Sequence, residues 1–198
     1  MRIIGGKFKG ISLFGPKNKK IRPLRDMVRE SIFNFLMHSN KISFQFERSN
    51  VLDLYSGTGS FGLECLSRKA KKVIFVEKEK EALNLLEKNI VKLETQDRTK
   101  IVSDNVFETI KKNNKYFLDL PSSSKIDLIF CDPPFKNENI SELLQLIFKM
   151  NILNTNGIII LHRHKNTKEK MSSNFEIIDQ RTYGLSNIIF GRFLSTST

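Results

Sequence analysis

The chain has 198 residues, of which 39% are hydrophobic and 27% charged, so it is long enough for one domain with a complete core and too short for two ordinary domains. This composition excludes a disordered chain, and no apolar run is long enough for a signal peptide or a membrane span, so we expect a cytoplasmic protein that contacts no membrane. A formal net charge of +12 favours a polyanionic partner, with nucleic acid as the first candidate and an inert basic surface as the alternative.

The first predicted element is a small basic β-hairpin extension over residues 1–22. Gly5, Gly6 and Gly10, followed by Gly15-Pro16, divide this segment into strand-length pieces. We expect the hairpin to be an appendage outside the core, with the main domain formed by residues 23–198.

The excess positive charge is concentrated near the start of the chain. Residues 1–30 contain nine Lys and Arg residues against two acidic ones, so they contribute +7 of the total +12. Phe8 and Phe14 lie among these charges and are candidate platforms for stacked bases. Because cationic side chains neutralise phosphates, the segment predicts a nucleic-acid contact. The candidate contacts are Arg2, Lys7, Lys9, Arg22, Arg25 and Arg29.

An amphipathic helix is predicted next, in the sequence LRDMVRESIFNFL that begins at Leu24. Apolar residues recur there at steps of three and four, which puts Met27 in the apolar stripe and Arg25 and Arg29 on the polar side. A polar stretch from Ser39 to Asn50 then leads to the first strand.

Alternating strands and helices make up the rest of the chain. Short apolar runs separated by amphipathic segments predict a parallel sheet covered on both faces. The last two runs flank Tyr183-Gly184-Leu185-Ser186 and predict an antiparallel hairpin. This order is typical of the α/β class I methyltransferase fold, a Rossmann-like, seven-stranded, mostly parallel sheet with a C-terminal antiparallel hairpin. The predicted strands are Val51–Leu54, Lys72–Val76, Lys100–Val102, Ile126–Phe130, Gly157–Leu161, Phe175–Arg181 and Asn187–Phe193, and the predicted helices are Phe61–Arg68, Lys80–Leu93, Val106–Lys112 and Ile140–Met150.

A glycine loop follows the first strand in the sequence VLDLYSGTGSFGLECL, Val51–Leu66. Gly57, Gly59 and Gly62 have the Gly-x-Gly-x-x-Gly spacing that seats an adenosine-bearing ligand at a helix N-terminus. Glycines show only that a ligand approaches the backbone closely, so NAD and S-adenosylmethionine both remain open at this point.

Acidic residues at the strand ends discriminate between these ligands, because ligands of open α/β sheets bind there. Glu77 comes eighteen residues after Gly59 and is placed to accept hydrogen bonds from ribose hydroxyls, a role that serves either ligand. Asp53 would repel a pyrophosphate and would attract an ammonium or sulfonium group, which favours S-adenosylmethionine. Asp104 is placed to accept from the adenine amine. The candidate cofactor residues are Asp53, Tyr55, Gly57, Thr58, Gly59, Glu77, Lys78, Asp104, Asn105 and Val106.

Two of these acidic residues have a structural alternative. Glu77 begins the charge run EKEKE, which is typical of a solvated helix face, and Asp104 could serve only as the N-cap of the next helix.

The sequence DLIFCDPPF, Asp127–Phe135, predicts a rigid corner after a buried strand. Pro133 and Pro134 stiffen the loop and remove two backbone donors, so the pocket there accepts hydrogen bonds and suits an amino group. Asp132 and the Pro133 carbonyl are placed to accept both N–H hydrogens of that amine, and Phe135 to stack on its base. The predicted catalytic residues are therefore Asp132, Pro133, Pro134 and Phe135. The alternative is a rigid turn with Phe135 in the core.

Six segments together resemble one family, the 16S ribosomal RNA guanine-N2 methyltransferases of the RsmD type. They are RIIGGKFKG from Arg2, RPLRDMVRESIFNFL from Arg22, VLDLYSGTGSFGLECLSRKA from Val51, VEKEKEA from Val76, DLIFCDPPF from Asp127 and YGLSNIIFGRF from Tyr183. The resemblance implies an S-adenosylmethionine-dependent enzyme acting on one guanine of small-subunit ribosomal RNA, in the assembled particle or an assembly intermediate. It makes RNA the nucleic acid expected at the basic segment, and we expect a monomer.

The chain departs from that family in a few places. Leu24 and Met27 replace the usual Thr and Arg, and His162-Arg163-His164-Lys165 stands where the family often has an acidic residue. We expect this last segment to be an exposed basic strand end that touches RNA, the alternative being a metal site at His162 and His164. Without further ligands, and with the two cysteines far apart, no metal is predicted.

Two other functions share these motifs. A DNA adenine-N6 methyltransferase would use the same pocket, although 198 residues leave little room for a target-recognition segment. A non-catalytic ribosomal RNA-binding assembly factor would keep the fold without the reaction.

Overall fold

The computed structural model describes residues 1–16, 24–112, 124–134, 139–167 and 170–194. The predicted elements are present within a few residues of their expected bounds, and the largest difference is a longer fifth strand. The helices are α1 Asp26–His38, α2 Ser60–Ser67, α3 Lys80–Lys92, α4 Val106–Lys112 and α5 Ile140–Met150. The strands are β1 Asn50–Leu54, β2 Lys72–Glu77, β3 Thr99–Ser103, β4 Ile126–Cys131, β5 Leu153–His164, β6 Phe175–Tyr183 and β7 Ser186–Phe193.

The strands form one seven-stranded sheet in the order β3-β2-β1-β4-β5-β7-β6. Strands β1 to β5 are parallel, and β7 is antiparallel to both β5 and β6. The predicted fold class is therefore confirmed. The strand order reverses between β1 and β4, and open α/β sheets bind their ligands beyond the carboxyl ends of the strands at such a point.

Alternate residues of each central strand pack on opposite faces of the sheet. In β1, Val51 contributes to the core shared with α1 and α2, whereas Leu52 and Leu54 contribute to the core shared with α4 and α5. All five residues of β1 are buried, as expected for a parallel strand covered on both faces. This packing leaves the strand ends, rather than the faces, available to a ligand.

The N-terminal segment forms a hairpin, but it is not outside the core. An antiparallel bridge joins Arg2 to Ser12, and Ile3, Phe8 and Leu13 are buried in the same cluster as α1 and α2. The expectation of an appendage outside the core is therefore wrong in its packing. The boundary after residue 22 stays a prediction, because residues 17–23 lie outside the described ranges.

Helix α2 holds this hairpin through buried polar groups. Both carboxylate oxygens of Glu64, which is fully buried, accept from the amides of Ile4 and Gly5 at 2.7 and 2.8 Å. The backbone carbonyl and hydroxyl of Ser67 accept from the amides of Lys7 and Phe8 at 2.7 and 2.9 Å. The hairpin is thus bound to the helix that begins at the glycine loop.

Two expectations for helix α1 are wrong. Arg29 is fully buried, and its Nη2 donates to the Arg2 carbonyl and, at 3.0 Å, to Asp26. Met27, placed in the apolar stripe, is 62% exposed. The guanidinium of Arg29 therefore ties α1 to the hairpin backbone, and burial lowers its pKa.

Candidate functional site

The predicted acidic residues lie at one edge of the sheet, where the parallel strands end. Asp53 is in β1, Glu77 ends β2, and Asp104 and Asp132 directly follow β3 and β4. The Asp-Pro-Pro corner lies beside the start of the glycine loop. Leu54 pairs with Cys131 across β1 and β4, and the Asp132 amide is 3.4 Å from the Leu54 carbonyl. The structure thus brings the predicted cofactor and catalytic segments together.

The glycine loop turns sharply between β1 and α2. Tyr55, Gly57 and Gly59 have positive φ angles of 58°, 54° and 80°, and Gly59 is the N-cap of α2. A Cβ at Gly57 would meet nothing within 4 Å, whereas one at Gly62 would lie 2.4 Å from Phe75 on β2. Gly57 therefore borders open space for a ligand, and Gly62 allows α2 to pack closely on the sheet.

Glu77 is fixed by three backbone amides. Its Oε2 accepts from Gly57 at 2.8 Å, and its Oε1 accepts from Lys78 and Glu79 at 2.8 and 2.9 Å. The side chain is only 9% exposed, whereas Lys78 and Glu79 are exposed, so the solvated charge run begins after Glu77. The two amides on Oε1 occupy its two lone pairs, whereas Oε2 keeps acceptor capacity beyond the Gly57 amide, which suits a ligand hydroxyl group.

Asp53 is a buried acid beside the glycine loop. Its Oδ2 accepts from the Gly62 amide at 2.9 Å, and its Oδ1 is buried without a hydrogen bond to any described residue. Burial raises the pKa of Asp53 well above its usual value, the Gly62 amide opposes this, and the carboxylates of Asp132 and Glu77 add to it. An unpartnered buried acceptor among three carboxylates fits a cationic group and would repel a pyrophosphate.

Asp104 and Asn105 have different roles at the start of α4. Asn105 caps the helix, because its Oδ1 accepts from Phe107 at 2.8 Å. Asp104 instead accepts from the Asn105 amide and, at 2.9 Å, from Lys112, and the Lys112 hydrogen bond is the main reason that its pKa is lowered. Asp104 is therefore not the helix cap, and its carboxylate lies at the edge of the site.

Thr58 and Val106 are buried and face the packed interior. The Thr58 carbonyl accepts from Asn89 Nδ2 at 3.0 Å, and Val106 belongs to the core shared with α4 and α5.

Asn89, on α3, also exchanges hydrogen bonds of 2.7 and 3.0 Å with the backbone of Phe14 in the hairpin. The role of Asn89 was not predicted from sequence, because its two partner residues, Phe14 and Thr58, come together only in the folded chain.

The Asp-Pro-Pro corner is partly open to solvent. The Asp132 side chain is 23% exposed, Pro133 is buried and Pro134 is exposed, while Phe135 lies outside the described residues. No described residue places a Lys or Arg against Asp132. Its carboxylate instead meets His162, whose Nδ1 lies 2.8 Å from Asp132 Oδ1.

His162 and Arg163 correct the expectation of an exposed basic strand end. They are 7% and 2% exposed and therefore do not form an RNA-facing surface. His162 Nε2 lies 2.9 Å from Ser186 Oγ on β7. The sequence did contain a signal for the contact with Asp132, since β5 is the neighbour of β4 in this fold and their ends should be level.

The described residues contain no group of three His, Cys, Asp or Glu side chains placed to hold a metal ion. Cys65 and Cys131 are both buried and unbonded to each other. In the same part of the chain, no helix combines the length and apolarity needed to cross a membrane.

The candidate RNA contacts are divided by their burial. Arg2, Lys7, Lys9 and Arg25 are exposed, and Arg22 lies outside the described residues. Arg29 is wrong as a candidate because it is buried under the hairpin. Phe8 is only 7% exposed and is also wrong as a stacking platform, whereas Phe14 is 46% exposed with Lys92 Nζ 4.9 Å from its ring centroid.

The sequence matches the profile of the family described as "Conserved hypothetical protein 95" over residues 1–192. It is 32% identical over 186 residues to the ribosomal RNA small subunit methyltransferase D of Haemophilus influenzae, which covers 93% of this chain and 90% of that protein. The chain belongs to this family. The resemblance stated from the sequence motifs is therefore confirmed.

Two solved structures have a similar fold. A putative methylase from Haemophilus influenzae has a TM-score of 0.73 and 29% identity, with 98% of each chain covered. The putative methyltransferase yhhF from Escherichia coli has a TM-score of 0.79 at 23% identity and covers 99% of each chain, which supports the fold alone. Both likenesses extend over nearly the whole chain, so they include its N-terminal hairpin and its C-terminal strands.

Proposed function

We propose that this protein transfers a methyl group from S-adenosylmethionine to the exocyclic N2 of a guanine in small-subunit ribosomal RNA. The relative from Haemophilus influenzae, named a ribosomal RNA small subunit methyltransferase, supports the substrate class. The observation that carries the reaction is the Asp132-Pro133-Pro134 corner, which leaves β4 beside the glycine loop and offers acceptors to an amine.

The residues at the strand ends fit this cofactor. Glu77 would accept from the ribose hydroxyls, the backbone at Gly57 would lie along the ligand, and Asp104 would accept from the adenine amine. The unpartnered Oδ1 of Asp53 would accept from the α-ammonium group, directly or through water. When bound, the cofactor supplies an electrophilic methyl group next to the Asp-Pro-Pro corner.

Asp132 and the Pro133 carbonyl prepare the amine for reaction. The lone pair of guanine N2 is delocalised into the base, so the nitrogen is a poor nucleophile until it pyramidalises. Two acceptors that hold its two N–H groups favour that geometry and direct the lone pair toward the methyl group. Holding the reactants in such an orientation can contribute about 7 to 11 kcal/mol to the lowering of a barrier.

The Asp132 carboxylate is also the acceptor for the proton released by the reaction. The neutral amine is too weak an acid for a carboxylate to ionise. After methylation the nitrogen is positively charged, and it readily loses a proton to Asp132 or to water. The site therefore needs no stronger base, and Phe135 would add stacking worth about 1 to 3 kcal/mol if it covers the base.

The exposed cations of the hairpin and α1 would contact the RNA backbone. Arg2, Lys7, Lys9 and Arg25 are all exposed, and Arg22 belongs to the same basic segment of sequence. Such contacts fix the orientation of the RNA without reading its sequence. We propose that the protein acts as a monomer on an assembled small subunit or an assembly intermediate.

The test is to incubate the protein with labelled S-adenosylmethionine and small subunits from cells that lack this methylation. Label should appear in the RNA as N2-methylguanine after digestion and chromatography. Naked RNA and duplex DNA containing adenine serve as parallel substrates. Label confined to adenine of DNA, or absent from RNA, would overturn the proposal.

A further inference from the structure

A chain of short polar contacts lies behind the Asp-Pro-Pro corner. His162 Nδ1 is 2.8 Å from Asp132 Oδ1, and His162 Nε2 is 2.9 Å from Ser186 Oγ. The imidazole is 7% exposed, so it is held between β4 and β7 rather than in solvent. Neither His162 nor Ser186 has a part in the mechanism described so far.

We infer that His162 is a positioning residue that holds Asp132 for the target amine, and that Ser186 sets the tautomer of its imidazole. This inference rests on the proposed function, because Asp132 is the group it positions. It replaces the two roles considered from sequence, since a buried imidazole does not reach RNA and no described third ligand makes a metal site.

The sheet register makes the contact a property of the fold. Cys131 pairs with Leu161 across β4 and β5, so the next residues, Asp132 and His162, reach the carboxyl edge at the same level. His164 pairs with Ser186 across β5 and β7, which brings the serine hydroxyl to the far side of the His162 ring. Backbone pairing on both sides of β5 therefore aligns the three side chains.

The chemistry of the three groups favours one tautomer of the His162 ring. A serine hydroxyl can donate to a neutral imidazole nitrogen, and the carboxylate of Asp132 can only accept. With Ser186 donating to Nε2, the ring carries its proton on Nδ1, the nitrogen that lies 2.8 Å from Asp132 Oδ1. In this tautomer the imidazole orients the Asp132 carboxylate through Nδ1.

In this arrangement the two oxygens of the Asp132 carboxylate have different roles. Oδ1 lies against His162 Nδ1, which leaves Oδ2 for the substrate. Oδ2 is therefore the oxygen that accepts from the guanine amine and then takes its proton. Loss of His162 would leave Asp132 in place but free to rotate.

The first test compares His162→Leu, which removes the donor, with His162→Asn, whose amide nitrogen can replace Nδ1. We expect kcat of the leucine variant to fall about 10- to 100-fold, because small misplacements near a reaction cost rate to this extent. The Kd for S-adenosylmethionine and the melting temperature should stay close to wild type, and the asparagine variant should recover most of kcat. His164→Leu, two residues along β5, is the matched control and should keep wild-type kcat.

The inference is overturned if His162→Leu keeps kcat within about twofold of wild type, or if His162→Asn is no better than His162→Leu. It is also overturned if Asp132→Ala and the double variant with His162→Leu differ in kcat as much as the single leucine variant differs from wild type, because coupled residues should not have additive effects. A wild-type protein that transfers no label overturns the proposed function instead.

A second measurement tests the contact without any substrate. Nitrogen-15 NMR of the imidazole should show His162 as the Nδ1-protonated tautomer, with its signal changed by Asp132→Ala and by Ser186→Ala. An Nε2-protonated ring, or a spectrum unaffected by either substitution, would overturn the inference whatever the enzyme methylates.

Discussion

The carboxyl edge of the sheet is acidic and its charged side chains are buried, whereas the N-terminal hairpin is basic and its charged side chains are exposed. At the edge, Asp53 and Glu77 are buried and fixed by backbone amides, so each acid has one defined position. On the hairpin, Lys7 and Lys9 are exposed on a backbone that is itself tightly held by α2. Under the proposed function, a cationic cofactor would be recognised by a few acids in fixed positions, whereas an anionic polymer would contact flexible cationic side chains on a rigid backbone.

The strongest test of the acidic edge is Asp132→Ala. We expect kcat for methyl transfer to fall about 10²- to 10³-fold or more, as for the loss of a group that acts on developing charge. The Kd for S-adenosylmethionine should change little, because Asp132 faces the amine rather than the cofactor. Single-turnover kinetics measure kcat, and calorimetric titration measures the Kd. If Asp132→Ala weakens cofactor binding as much as it slows transfer, Asp132 does not act on the amine alone.

The hairpin can be tested through the buried acid that holds it. Glu64→Ala leaves two amides and Arg68 without their acceptor, and we expect it to lower the free energy of unfolding by about 3 kcal/mol. Glu108→Ala, which breaks an exposed pair with Lys111, is the control and should change stability little. Urea unfolding that shows equal effects would mean that the hairpin is not held by this carboxylate.

Glu77→Ala sharpens the role of the acidic edge in cofactor binding. A hydrogen-bonded charged group contributes about 1.5 to 3 kcal/mol, so the Kd for S-adenosylmethionine should rise roughly 10- to 100-fold. Glu79→Ala, in the exposed charge run that follows, should leave this Kd unchanged. If the two variants bind alike, Glu77 serves only to brace the glycine loop.

Asp53→Asn tests whether the buried acid is kept for binding at the expense of stability. Since the pKa of Asp53 is raised in the folded state, stability falls as pH rises from the unfolded value, about 3.9, toward the folded value. The asparagine variant should therefore be more stable than wild type at neutral pH, and this advantage should disappear near pH 4. Its affinity for S-adenosylmethionine should be lower, and thermal melts across pH with parallel titrations measure both.

The smallest expected effects are those of single hairpin cations. Lys7→Ala and Lys9→Ala should each reduce the slope of log affinity for RNA against log salt by about 0.7 to 0.9, one phosphate contact apiece. Arg29→Leu is the informative control, because its buried side chain should affect stability and leave the slope unchanged. A slope altered by Arg29→Leu alone would restore the interpretation made from sequence.

The sequence predicted the acidic edge better than the basic hairpin for a physical reason. Asp53 and Glu77 lie near the ends of apolar strands and Asp132 follows one, and parallel strands bring such ends together whatever the rest of the chain does. The depth of a charged residue on a helix depends on what covers that helix. Arg29 has the spacing of a surface residue, and only the hairpin packed over it makes it a core residue.

His162 and Asn89 were missed for the related reason that their partners are distant in sequence. Local patterns assign a residue to a strand or helix, but Asn89 is defined by Phe14 and Thr58, which are 75 and 31 positions away. Such polar contacts are settled by tertiary packing, after periodicity has determined the elements.

Asn89 joins the N-terminal hairpin to the glycine loop, the two segments to which the proposed function assigns RNA and cofactor binding. One fully buried amide group bonds to the hairpin backbone at Phe14 and to the glycine loop at Thr58. A shift of either segment strains the hydrogen bonds shared with the other. Under the proposed function, RNA bound at the hairpin and a cofactor bound at the loop would therefore be coupled through this one side chain.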